Sequence, residues 1–191
     1  PLIIEGNGAT LQRDGTAPDF RFFEIKASGD LTLNDLTLQN GQATNGGAIN
    51  NWGALTVMNS ALANNGATEG GGILNNGVLL VQNTSFTGNH AANRGGAIYN
   101  TYDGINSDVT VEDSIFDGNT LGVADTPGPT EVYEGGAAVF NMGDAKMTIR
   151  RSEFYNHHII GTEGRGGAIL VNGYSPNYAS VHIYDSTISN N

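Results

Sequence analysis

Leu31-Thr32-Leu33 returns along the chain as Leu55-Thr56-Val57, Leu79-Leu80-Val81, Val109-Thr110-Val111, Met147-Thr148-Ile149 and Val181-His182-Ile183. Each copy is followed by a polar kink and a second apolar position, at Leu38, Leu62, Phe86, Phe116, Phe154 and Ile188. The first residues lie 24, 24, 30, 38 and 34 positions apart, read from 31, 55, 79, 109, 147 and 181. A second signature alternates with the first. It is Gly-Gly-Ala-Ile or a near variant closing on Asn, at Gly46 to Asn51, Gly70 to Asn75, Gly95 to Asn100, Gly135 to Asn141 and Gly166 to Asn172. Self-similarity at a period near 24 is the mark of a solenoid, in which each repeat buries its apolar face only against its neighbours.

Inside each repeat the apolar residues alternate with period two, which is strand patterning. Leu55, Val57, Ser60 and Leu62 are expected to point inward, and Thr56, Met58 and Ala61 outward. Ile49, Ile73, Ile98, Val139 and Ile169 supply a third wall. Strands this short cannot stand alone, so each must pair with its copy one coil away, and parallel crossovers favour the right hand. The expected fold is all-β: a right-handed, single-stranded parallel β-helix of the pectin-lyase-like kind, with about six to seven coils. Residues 30–191 form the repeats, and residues 1–29 form an irregular first coil or partial N-terminal cap, with Phe20, Phe22 and Phe23 over the open end. The surplus over 24 falls before the Gly-Gly pair and after its Asn, so insertions are expected at corners.

The Gly pairs are read as tight or left-handed backbone positions, and the recurring Asn65, Asn89 and Asn119 as residues suited to the same turns. Stacked Asn side chains can also form a hydrogen-bonded ladder. The fourth Gly-Gly signature reads as having one extra residue, at Ala137-Ala138. Composition agrees with strands and tight turns: 28 glycines, and only 14% charged residues.

The two signatures together resemble the repeats of the chlamydial polymorphic membrane proteins and related bacterial β-helix surface proteins. The likeness rests on Gly-Gly-Ala-Ile at 46–49, 95–98 and 166–169 and on Phe-x-x-Asn at 86–89 and 116–119, and it extends from about Asp30 onward. Leu38, Leu62 and Ile188 depart from it in place of Phe, and Gly41 and His157 in place of the closing Asn. The resemblance implies a β-helix passenger or stalk outside the cell, in a family whose better-known members act in adhesion.

The charge balance excludes other classes. With 19 acidic and 8 basic residues the net charge is −11, and no basic stripe exists to neutralise nucleic acid or an anionic bilayer. No apolar run reaches the length of a membrane span, so membrane insertion by this segment is not expected. There are no cysteines. The chain, from Pro1 to Asn191, is read as a segment of a longer or processed protein.

Enzymes also occur on β-helices, so catalysis has to be weighed from residues. A lyase would need clustered carboxylates and a basic residue, and a glycosidase two suitably spaced acids. Asp113 with Asp117, or Asp103 with Asp108, could be so placed by chance, and Arg150 and Arg151 adjoin, with Arg151 in the kink column of Asn59, Asn83, Asp113 and Asp185. None stands in a motif. No catalytic residue, cofactor or metal is assigned, and His157-His158 is read as a surface turn. Candidate ligand or partner contacts are Trp52, at a corner, and Tyr102, Tyr133, Tyr174 and Tyr178, in the corner insertions of the later coils. The expected function is an extracellular or cell-surface structural or adhesive segment, non-catalytic, contacting neighbouring subunits or surface glycans through corner loops. The alternatives are a carbohydrate-active β-helix enzyme with an incomplete site here, and a self-stacking fibre subunit associating end to end.

Overall fold

The computed structural model describes residues 1–101, 107–122, 134–160, 164–173 and 178–191. It has no helix among them, and the strands form three parallel sheets running the length of a β-helix. The repeat column is the stacking column. Leu31 pairs with Leu55, Leu55 with Leu79, Leu79 with Val109, Val109 with Met147, and Met147 with Val181.

The first wall is a 12-stranded sheet bent at the kink into two halves. At the bend Asp35, Asn59, Asn83, Asp113, Arg151 and Asp185 all have φ between 45° and 54°. Asn and Asp tolerate this left-handed region better than other residues with a β-carbon, which is why a polar kink recurs there. The second wall stacks Gln42–Asn45, Gly66–Glu69, His90–Arg94, Thr120–Gly122 and His158–Ile160. The third stacks six strands from Phe23–Ile25 to Ile169–Asn172, with Ile49, Ile73, Ile98, Val139 and Ile169 in register.

The inward set is the expected one. Leu55, Val57, Ser60 and Leu62 are buried, whereas Thr56, Met58 and Ala61 are only partly covered. Stacking places identical positions about 4.8 Å apart, so a column of like side chains fills the lumen. The largest such column is Leu38, Leu62, Phe86, Phe116, Phe154 and Ile188, in which the rings of Phe86 and Phe116 stack at 4.7 Å and those of Phe116 and Phe154 at 4.4 Å.

Leu2–Gln12 runs parallel to Asp30–Gln39, in register at Leu2 with Leu31 and at Leu11 with Leu38, around an irregularity between Glu5 and Ala9. Phe22 and Phe23 pack against the core, and Phe20 stays 44% exposed.

The two glycines of each signature have separate jobs. Gly70 and its equivalents Gly46, Gly95, Gly136 and Gly166 lie at φ of 60–68°. A β-carbon at Gly71, the second glycine, would run into the Gly96 carbonyl oxygen of the next coil.

Two details of the expected register are corrected. Val139 pairs with Ile98 and the left-handed glycine is Gly136, so the fourth signature has no extra residue. Ala137 takes the second glycine column and is buried with Ala91 and Leu121. In the last signature Val171, not Asn172, lies opposite Asn141, because one more residue separates Ile169 from the Asn.

Candidate functional surface

Three ladders hold successive coils in register, and they account for most of the polar groups inside the helix. Along the third wall Asn51 Nδ2 donates to Asn75 Oδ1 at 2.6 Å, Asn75 to Asn100 at 2.8 Å, and Asn100 to Asn141 at 2.7 Å, with all four residues buried. At the turn into the second wall Asn65 Nδ2 donates to Asn89 Oδ1 at 3.0 Å and Asn89 to Asn119 at 2.9 Å. The left-handed residues of that turn are their predecessors, Asn64, Gly88 and Gly118. The expectation that Asn65, Asn89 and Asn119 themselves take the left-handed conformation is therefore corrected: these amides face inward as ladder rungs.

The third ladder is one of hydroxyls just after the kink. The backbone N–H of Leu36 donates to Ser60 Oγ at 3.1 Å, that of Thr84 to Ser114 Oγ at 3.2 Å, and that of Ser114 to Ser152 Oγ at 3.2 Å. Each hydroxyl in turn donates to the carbonyl two residues back, as Ser60 does to Met58 at 2.6 Å. The signal for it was the hydroxyl residue after every kink but the first, at Ser60, Thr84, Ser114, Ser152 and Ser186.

His157 corrects another expectation. It is 3% exposed and is not on a surface turn: it occupies the rung after Asn119, where its Nδ1 accepts the Asn119 backbone N–H at 3.1 Å. Burial pushes its pKa down to about 4. His158, the next residue along a strand, points out and is exposed.

The outer face carries paired charges. Arg151 holds Asp113 through two hydrogen bonds of 2.7 and 2.8 Å, and this keeps the Asp113 carboxyl below its ordinary range. Arg150 lies 3.5 Å from Glu112 and over the Tyr184 ring at 5.4 Å. The adjacent arginines are therefore both turned to carboxylates of the preceding coil, with Arg151 re-aimed by its left-handed backbone. Among the described residues no group of three or more His, Cys, Asp or Glu could hold a metal ion.

Of the expected contact residues, Tyr178 is 80% exposed and Trp52 is half-buried at the corner between the third and first walls. Tyr102, Tyr133 and Tyr174 lie outside the described residues. A further aromatic cluster lies on the outer face of the third wall, where Leu74, Tyr99 and Phe140 are buried together and the Tyr99 ring stacks on Phe140 at 5.4 Å.

Comparison with curated proteins and with solved structures gives no match. Residues 83–101 match the model of the Chlamydia polymorphic membrane protein repeat. The matched stretch holds a kink residue, Phe86, the Asn89 rung, the Gly95-Gly96 pair and the Asn100 rung, and so traverses parts of all three walls. The chain thus carries a repeat of the kind found in the chlamydial polymorphic membrane proteins, and neighbouring coils are built on the same columns.

Proposed function

We propose that this chain is a stretch of a cell-surface, adhesive β-helix without catalytic activity, in which the strands are scaffold and the corners make contact. The observation that carries this reading is the placement of the surplus residues. The strand columns run unbroken from Leu31 to Val181, while the intervals between them grow from 24 to as many as 38 residues. A solenoid can vary its surface at fixed corners at little cost, because closing a longer loop costs only about 0.6 kcal/mol per doubling of length. The likeness to a polymorphic membrane protein repeat supports the surface location. The non-catalytic part is supported by the engagement of Arg151 with Asp113 and of Arg150 with Glu112, since those groups stabilise neighbouring coils as they stand.

The test is attachment. Beads coated with residues 1–191 should bind cells or glycan-coated surfaces. Replacing 123–133 and 174–177 with short turns should leave the far-ultraviolet spectrum intact and reduce binding. Binding unchanged by both replacements would move the contact surface to the strand faces. Release of unsaturated or reducing sugar from polyuronates or other glycans would overturn the non-catalytic reading.

A further inference from the structure

A shallow trench of about 390 Å³ lies at the corner between the third and first walls. Its lining includes Trp52 and Val78, the latter 52% exposed. The floor is Gly29, Gly53 and Gly77, one from each of three successive coils. These glycines are there for the stacking. A β-carbon on Gly77 would strike the Gly53 carbonyl oxygen, and one on Gly53 the Gly29 carbonyl oxygen. The result is a smooth strip of backbone beside an indole.

The hydrogen bonds of the strip are spent within the fold. Ala54 N donates to Gly29 O at 2.9 Å, Val78 N to Gly53 O at 2.8 Å, and Asn75 Nδ2 to Gly77 O at 2.8 Å. The indole N–H is also engaged. In the orientation of the Asn50 amide that satisfies both neighbouring donors, its oxygen accepts from Trp52 Nε1 at 3.3 Å and from Arg21 Nη1 at 3.1 Å. This holds the indole by its N–H. Asp30 lies in the lining, exposed, and among the described residues it has no hydrogen-bond or ion-pair partner.

We infer that this trench is a binding site for a neutral hexose, one or two rings of a glycan chain lying flat on Trp52. A pyranose has an apolar C–H face that suits an indole and a rim of hydroxyls that can donate to a single carboxylate, here Asp30. The volume is of the order that one or two sugar rings need. Charge selects among glycans. A chain of net charge −11 with a free carboxylate in the site repels uronates, sialylated and sulfated sugars, so the occupant is uncharged. The described trench lining includes no residue of 123–133 or 174–177, so its failure would leave the proposed role of those insertions untouched.

Trp52 is the one tryptophan in the chain, so tryptophan emission, excited selectively at the red edge where tyrosine does not absorb, reports on this residue. The experiment titrates residues 1–191 with lactose, cellobiose, maltose and N,N′-diacetylchitobiose, following emission and protection from acrylamide quenching. At least one disaccharide should give a saturable change with a roughly millimolar dissociation constant. By ligand-observed NMR, Trp52→Phe should weaken that binding several-fold, and Asp30→Asn by about threefold or more, the loss of one charged hydrogen-bond acceptor. Sialyllactose should bind more weakly than lactose. No response to any of the four up to their solubility limits would overturn the inference, as would NMR binding that Trp52→Phe leaves unchanged. Because the wild-type titration needs no substitution, a variant that folds poorly cannot shelter the idea.

Discussion

His157 Nδ1 accepts the backbone N–H of Asn119 at 3.1 Å, the same duty that Asn119 Oδ1 performs for Asn89 at 2.9 Å. An imidazole has replaced an amide in a buried ladder, and the two differ in one respect: the imidazole can take a proton. Protonation at Nδ1 would turn the acceptor into a donor facing another donor. The buried Nε2 of His157 has no hydrogen-bond partner, and the cost of burying the cation outweighs the attraction of the nearby Asp117 carboxylate.

This makes stability fall in mild acid. The folded-state pKa is about 4, below the ordinary value near 6.5 of an unfolded histidine. Above about pH 6.5 both states are neutral at this site and nothing is lost. Between about 6.5 and 4 the unfolded chain binds a proton that the folded chain refuses, so stability drops as pH falls. Below about 4 both are protonated and the loss levels off, at no more than about 3 kcal/mol. Urea unfolding at pH 7 and pH 4.5 measures it. His157→Asn restores the amide of the column and should remove most of this pH dependence. An equally steep decline in that variant would assign the acid sensitivity to other groups.

The Asn rungs should be far less replaceable than their exposed counterparts. Asn75 accepts from Asn51 and donates to Asn100 and to the Gly77 carbonyl, all in buried surroundings. Asn75→Leu preserves volume but strands a donor on Asn51 and an acceptor on Asn100, at about 2–4 kcal/mol. Asn59, whose amide bonds to Asn34 and Asn83 lie on the exposed kink, should cost less than about 1 kcal/mol when changed to Asp. Urea midpoints that rank the two in the opposite order would refute the ladder as a stabilising device.

Gly70 and Gly118 have almost the same backbone conformation, φ +64° and +58°, yet differ in the space around them. A β-carbon on Gly70 would strike the Ile73 carbonyl, while one on Gly118 meets nothing within 4 Å. Asn is tolerated in the left-handed region, and Asn64 and Asn156 already stand in the Gly118 column. Gly118→Asn should therefore change stability by less than about 0.5 kcal/mol, and Gly70→Asn should cost more than about 2 kcal/mol. Equal melting temperatures for the two variants would show that conformation alone, not space, fixes the first glycine of the pair.

The repeat made the walls legible in the sequence because inward positions recur at constant offsets from Leu31, Leu55 and Leu79, and the stacking then follows from pairing like with like. What it could not resolve was which of two adjacent polar residues bends and which bonds. Asn64 and Asn65 have the same side chain, but one is left-handed and the other a buried rung, a difference set by the neighbouring coil. His157 was misplaced for the same reason: its column, not its residue type, dictates burial. The Gly135-Gly136 pair misled because two equal glycines leave the frame open by one, and only the pairing of Val139 with Ile98 closes it. Trp52 was legible as a candidate contact, but the glycine floor beside it comes from three coils that only stacking brings together.

The phenylalanine column allows a quantitative test of how the lumen is held. Phe116 stacks on Phe86 and on Phe154, with interplanar angles of 1° and 7°, and all three are fully buried. Leu62 and Leu38 fill the same column two and three levels before Phe116, so the column accepts Leu in shape. Phe116→Ala should cost about 3–5 kcal/mol, since an adjoining rung cannot collapse into a gap bounded by stacked rings. Phe116→Leu should cost only about 1–2 kcal/mol, made of lost transfer energy plus two ring contacts. A double-mutant cycle separates these parts: Phe86→Leu, Phe116→Leu and the pair should reveal a coupling of about 0.5–1.5 kcal/mol for the one shared stack. Exact additivity would mean that area alone holds the column, and that the aromatic run from Phe86 to Phe154 fills the lumen no better than the leucines before it.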